Sequence, residues 1–230
     1  MTTTTTAPAT APARSLSRQI YDTVRERIIL GHYPEGSRLP EQRIGDELEV
    51  SRVPLREAVP LLERDGFVQT FPRRGAMVTT WDTKAIDDLF DVRLCLEVGA
   101  AGHAARQIAL GGSMAPLDEA LAASRRVVQE RDAYAIAQAS TAYHETIVKT
   151  AANDLMLKMM RTISGRMTWL FYRTSGLPVD DALDEHVSLR DAIASGNERV
   201  AEAVAYAHIE RDREPSFAAL AQGGPGTPGD

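Results

Sequence analysis

Three histidines, His144, His186 and His208, are the side chains in this 230-residue sequence best suited to metal chemistry. Each falls in a segment of helical periodicity. His186 and His208 lie 22 residues apart on consecutive helices, a spacing that lets antiparallel neighbours face each other. Three imidazoles converging inside a helix bundle make a metal-site arrangement, with a coordination position left open. A second set of residues is cationic. Ser51, Arg52, Val53, Pro54 and Arg56 open a helix after a tight turn, and Arg52 and Arg56, four apart, share one face. Arginine pairs bidentately with guanine O6 and N7, while the Ser51 hydroxyl and the first amides of a helix suit a phosphate. Arg73-Arg74-Gly75 forms a hairpin tip that can reach a minor groove or a backbone. Arg93 has two readings: a bidentate partner for the carboxylate of a ligand, or an ion pair with Glu97 one turn on.

The elements that position these groups follow from periodicity. Leu16, Ile20, Val24 and Ile28 recur every fourth residue, and Gly31 ends that helix. A short helix fits Glu41 to Leu48, and a third runs from the Ser51 N-cap to about Asp65 with Gly66 closing it. Phe67 to Phe71 and Ala76 to Thr80 read as two strands around Pro72-Arg73-Arg74-Gly75. Three helices plus a hairpin make a winged helix-turn-helix. Beyond Trp81-Asp82, helices fit 83–110, 115–130, 132–151, 154–174, 181–195 and 197–221, with breaks at Gly111-Gly112-Ser113, Asn153, Gly176-Leu177-Pro178 and Gly196. Short connections predict an antiparallel bundle. The expected fold is therefore mainly α: a winged helix-turn-helix at 14–80 and an all-α antiparallel helix bundle at 83–221. Tails at 1–13 and 222–230, rich in Thr, Ala, Pro and Gly, are expected to be disordered.

Composition sets limits. One cysteine excludes an intrachain disulfide, and no apolar run approaches the ~18–20 residues of a membrane helix. The cytoplasm is the expected location, with no membrane partner. The net charge of −6 argues against nucleic acid only until it is divided. Residues 14–80 hold 11 Arg and 10 acidic residues, whereas 81–230 hold 15 basic and 22 acidic ones. Local placement of arginine, not the total, decides DNA binding.

The stretch from Ile20 to Val78 resembles the winged helix of GntR-type bacterial transcription regulators. The motifs that carry the likeness are the turn around Pro34 and Gly36, then Leu39-Pro40-Glu41, Val50-Ser51-Arg52, Pro54-Leu55-Arg56-Glu57-Ala58, Asp65-Gly66-Phe67-Val68 and Arg73-Arg74-Gly75. The resemblance implies that Arg43, Arg52 and Arg56 make the main DNA contacts, with Ser51 nearby and Arg73, Arg74 and Gly75 in the wing. Two residues depart from the pattern: Glu35 stands where the family usually has proline, and Pro60 lies inside the third helix. Pro60 costs roughly 3 kcal/mol unless a kink absorbs it, and a bend there without loss of DNA binding is expected. Residues 83–212 resemble, more loosely, the ligand-binding domain of the FadR branch, called FCD, through Arg93 to Glu97, Tyr143-His144, Asn153, Glu185-His186 and His208. Metal-binding members add an aspartate four residues before the first histidine. Here that position is Ser140.

The resulting expectation is a bacterial transcription regulator, not an enzyme. It would be a homodimer on a palindromic double-stranded operator, and a repressor released when a small carboxylate binds near Arg93, Ser140, His144, His186 and His208. With Ser140 in place of the carboxylate, three outcomes stand: a divalent ion such as Zn²⁺ held by His144, His186 and His208, weak metal binding, or an organic ligand without metal. The alternatives are a sensor whose effector is the ion itself and a three-His metalloenzyme. The latter lacks a placed general base and leaves the winged helix unexplained. The stripe of Met156, Met159, Met160, Ile163, Met167 and Leu170 reads as bundle core or dimer contact, and Cys95 as a small apolar filler.

Overall fold

The computed structural model describes residues 15–176 and 179–221, with side chains described from residue 182 in the second stretch. Both expected tails lie outside the described residues, as does the Leu177-Pro178 part of one expected break. The winged helix comprises α1 (Leu16–Ile29), α2 (Glu41–Glu47), α3 (Arg52–Arg64), β1 (Val68–Phe71) and β2 (Gly75–Val78). Ile20, Val24, Ile28, Ile44, Leu55, Ala58, Leu62 and Phe67 are buried and knit the three helices to the hairpin. Leu16 breaks the expected stripe: it is half exposed, because the first turn of α1 extends past the core. The two strands are antiparallel, with Val68 opposite Val78 and Phe71 opposite Gly75. Each is shorter at one end than its apolar pattern suggests.

Helix α3 continues through Pro60. Pro60 is exposed, so the Arg56 carbonyl that loses its helical partner is on the solvent side of the helix. Ser51 occupies the N-cap position of α3, yet its hydroxyl makes no capping bond. It is exposed and free for another acceptor or donor role.

The bundle contains α4 (Thr83–Ala109), α5 (Ala115–Glu130), α6 (Ala133–Thr150), α7 (Asp154–Arg173), α8 (Val179–Ala194) and α9 (Glu198–Ala221). Side-chain caps open four of them: Asp82 for α4, Asp132 for α6, Asn153 for α7 and Asn197 for α9. Central α4 packs on α6, α7, α8 and α9. Its contact with α9 is close because the seam is built of Ala101, Gly102, Ala105, Ala201 and Ala205. A β-carbon on Gly102 would sit 2.8 Å from the Glu202 carboxylate. Among the described residues no helix is long and apolar enough to cross a membrane.

Helix α7 also packs on the winged helix. Phe67 stacks on Trp169 at 5.5 Å, and Trp81 meets the same indole edge-on at 5.5 Å. Gly165 makes this approach feasible, since a β-carbon there would lie 2.7 Å from the Phe67 ring. The Arg166 guanidinium lies over Trp81. Glu35, the residue that replaces a turn proline, accepts from the Trp81 backbone N–H at 2.9 Å and from Arg173. The methionine stripe divides by helix phase: Met160, Met167 and Leu170 are buried, whereas Met159 is 54% exposed. Cys95 is exposed, a correction to its reading as core filler; it lies two residues from buried Arg93 and Glu97 and so turns away from them.

Candidate functional site

Helices α6, α8 and α9 bring His144, His186 and His208 together at a buried point. The ring centroids form a triangle with sides of 5.2 Å. His144 Nε2 and His208 Nε2 are 3.5 Å apart, near the ~3.3 Å that two nitrogens take on a tetrahedral Zn²⁺.

Neighbours fix the rings. Glu185 Oε2 lies 2.8 Å from His208 Nδ1, which leaves His208 Nε2 facing the cluster. Glu97 Oε2 lies 2.6 Å from His144 Nδ1, close in distance but without the alignment of a hydrogen bond. The Tyr143 ring stacks on His186 at 4.5 Å and its hydroxyl donates to the His186 carbonyl at 2.8 Å, so the helix and the ring are held together. His186 Nδ1 is buried with no hydrogen-bond partner. Carboxylates behind metal-ligating histidines are the usual second layer of such sites, and an orphaned imidazole nitrogen calls for a partner.

Burial lowers the pKa of His144 against the pull of Glu97, and burial followed by the other two histidines pushes His186 well below the ordinary value. Both are neutral at neutral pH, the form that binds a metal. Burial alone would raise Glu97, but Arg93 and His144 outweigh it and hold the carboxyl at about 2.

Arg93 is fully buried. Its Nε donates to Glu97 at 2.8 Å, and its guanidinium lies 5.2 Å from both the Phe90 and Phe171 rings. Its two terminal nitrogens have no partner among the described residues. The ion-pair reading of Arg93 thus describes its observed contact, and Arg93 does not line the cavity beside the histidines. That cavity holds about 240 Å³. His186 and His208 form part of its wall, with Ser124, Ser140, Thr174, Ser175 and Ser216 supplying hydroxyls and Val128, Ile136, Phe171 and Leu183 apolar surface. Glu185, Asp212 and Arg211 are its charged residues.

The second site lies on the winged helix. Arg52 and Arg56 are exposed at the start of α3, and Val53 beside them is 66% exposed. Arg43 is exposed on α2, with Glu47 at 3.2 Å. These arginines line a concavity with Arg38, Pro40, Glu41, Gln42 and Asp46. Arg73 and Arg74 stand at the turn between β1 and β2, where Gly75 takes φ of 78°. Sequence reasoning missed Arg38, Glu185 as a histidine partner, and Glu97 as the partner of His144. Glu97 and Glu185 had no local signal, since their contacts are tertiary.

A helix with exposed arginines at its start, a basic wing and a helical bundle with a cavity beside three buried histidines are the features of a DNA-binding regulator. Residues 16–78 match the bacterial regulatory proteins of the gntR family, and residues 88–211 match the FCD domain. The chain belongs to the GntR family of transcription regulators, with a C-terminal FCD domain. It is 27% identical over 199 residues to a Paenarthrobacter nicotinovorans protein described as "Probable D-xylose utilization operon transcriptional repressor", covering 85% of this chain and 86% of that one. It is 26% identical over 189 residues to the Nta operon transcriptional regulator of Aminobacter aminovorans, covering 78% and 84%. Among solved structures, a GntR regulator from Rhodococcus sp. RHA1 superposes with a TM-score of 0.74 at 22% identity, covering 88% of this chain and 98% of that one. GntR regulators bind operator DNA, FCD domains bind small-molecule effectors, and some FCD domains bind metal. The family and these relatives are regulators, not enzymes.

Proposed function

We propose that this protein is a ligand-responsive repressor that binds a palindromic operator as a homodimer. Residues 14–80 form the DNA-binding unit and 83–221 the effector and dimerisation unit. Arg43, Arg52 and Arg56 read the major groove, Ser51 takes a phosphate, and Arg73, Arg74 and Gly75 hold the wing on the neighbouring groove. Exposed Leu155 and Met159, one turn apart on α7, and Val92 on neighbouring α4 support a dimer face.

The observation that carries the reading is the triangle of buried imidazoles beside a hydroxyl-lined cavity, with His186 and His208 in its wall. His144, His186 and His208 would hold a divalent ion such as Zn²⁺, with Glu97 and Glu185 orienting two of the rings. The donor set fits: three imidazoles, carboxylate backing and an unpartnered His186 Nδ1. When bound, such an ion supplies positive charge to a cavity whose own side chains are two carboxylates and one guanidinium, and so favours a carboxylate effector. Ser140 offers the cavity a hydroxyl at the position of the family aspartate. An effector changes DNA affinity only by binding one conformation better than another.

Metal analysis before and after chelation, with DNA binding by wild type, Arg52→Ala and Arg56→Ala, tests this reading. Bound metal lost with His186→Ala, and specific binding lost in both arginine variants, are expected. Wild-type specific affinity in both variants refutes the reading helix; full DNA binding and effector response in metal-free protein removes the ion.

A further inference from the structure

The segment before α2 is a third strand of the wing in all but length. The Gly36 N–H donates to the Val78 carbonyl at 3.0 Å, the Val78 N–H to Ser37 at 2.8 Å and the Leu39 N–H to Ala76 at 2.8 Å. Arg38 therefore pairs antiparallel with Met77, pinned on both sides. Side chains alternate along a strand. Leu39 is buried, so Arg38 projects from the opposite, solvent-facing surface. Its guanidinium passes over the hairpin tip: a β-carbon on Gly75 would be 3.7 Å from both Nε and a terminal nitrogen. From there it joins Arg43, Arg52 and Arg56 in one concavity, in which four arginines face the carboxylates Glu41 and Asp46. Arg43 has Glu47 at 3.2 Å, whereas no ion pair engages Arg38 among the described residues.

Arg38 stands between two elements, the start of α3 and the wing tip. When a helix occupies the major groove and a wing the adjacent minor groove, the ridge between them is a sugar–phosphate backbone. A guanidinium fixed to that intermediate strand meets phosphate oxygens, not base edges, and its planar fork suits them bidentately. We propose that Arg38 is a phosphate clamp, which positions the duplex between α3 and the wing without reading sequence. The proposal rests on the DNA-binding reading and adds to it a residue with a separate signature.

The probe is a labelled mixed-sequence duplex, titrated with full-length protein over a range of salt. A phosphate contact contributes about 0.9 to the slope of log affinity against log salt. Arg38→Ala should lower that slope by about 0.9, so that its deficit against wild type shrinks about 3.5-fold from about 50 to about 200 mM salt. The deficit should be equal on a duplex selected by the wild-type protein, whereas Arg52→Ala should lose more on the selected duplex than on the mixed one. Arg38→Lys, which keeps the charge, should keep the slope. Arg38 is exposed, and an unchanged thermal melt separates loss of the contact from loss of fold. A wild-type slope in Arg38→Ala overturns the clamp and leaves the DNA-binding reading intact. A loss confined to the selected duplex makes Arg38 a base reader and also overturns it. No binding of either duplex by the wild type overturns both readings.

Discussion

Removing the Glu97 carboxylate isolates a charge that the fold cannot expose. Arg93 is fully buried and Glu97 is only 4% exposed, with 2.8 Å between Nε and Oε1. In Glu97→Ala the guanidinium keeps two aromatic faces and no counter-charge, and two of its nitrogens already lack partners. Breaking a buried pair from one side costs about 3–5 kcal/mol. For a chain of this size that is about 6–20 °C in melting temperature, at about 2–4 °C per kcal/mol. Urea unfolding and thermal melts of chelator-treated protein measure it. Glu97→Gln, which keeps the volume and an acceptor, should fall between alanine and wild type. Replacing both partners, Arg93→Met with Glu97→Leu, should recover most of the loss, because no buried charge is left unpaired. A loss under about 1 kcal/mol in Glu97→Ala would refute the reasoning, since that is the value of an exposed pair.

Three further outcomes are expected. Tyr21 donates to buried Asp65 at 2.6 Å, and burial followed by the Asp65 hydrogen bond and charge pushes the phenol up to about 12. Tyr21→Phe should cost about 1–3 kcal/mol. A raised phenol stabilises the fold fully below its ordinary pKa of about 10, so the gap between wild type and variant should close between about pH 10 and 12 in urea titrations. Trp169→Ala, which deletes the indole between Phe67 and Trp81, should cost about 3–5 kcal/mol and split one calorimetric transition into two; a single unshifted transition would show that the two units are not docked there. Pro60→Ala should raise stability by about 2 kcal/mol, the ~3 kcal/mol helix penalty less the ~0.4–1 kcal/mol that proline gains by restricting the unfolded chain, with unchanged DNA affinity on titration.

Helix periodicity made the element order legible, and the breaks at Gly31, Gly66, Gly111 and Gly196 fall where glycine takes positive φ. The three histidines were legible because each sits at a defined phase of an amphipathic helix, and two sit on consecutive antiparallel helices. Their backing was not. Glu97 and His144 are 47 residues apart, and no local pattern pairs them. Glu35 illustrates the same limit: as a departure from a turn proline it was visible, but its acceptance of a bond from Arg173, 138 residues later, depends on how α7 docks. Arg93 left two readings open because the i, i+4 spacing permits an ion pair without excluding a ligand. Cys95 was misread because a small apolar residue carries little information about helix phase.

The seat of the winged helix on α7 has a consequence for the DNA. Phe67, Trp81, Trp169, Glu35 and Arg173 leave the reading helix little freedom to swing on its own linker. In the proposed homodimer the separation of the two reading helices is then dictated by how the bundles pair. The protein becomes a ruler, accepting operators whose half-sites are spaced to its span and rejecting the same half-sites moved by a few base pairs. Phe171, in the cavity wall, belongs to the same helix, so the cavity and the seat of the winged helix share α7.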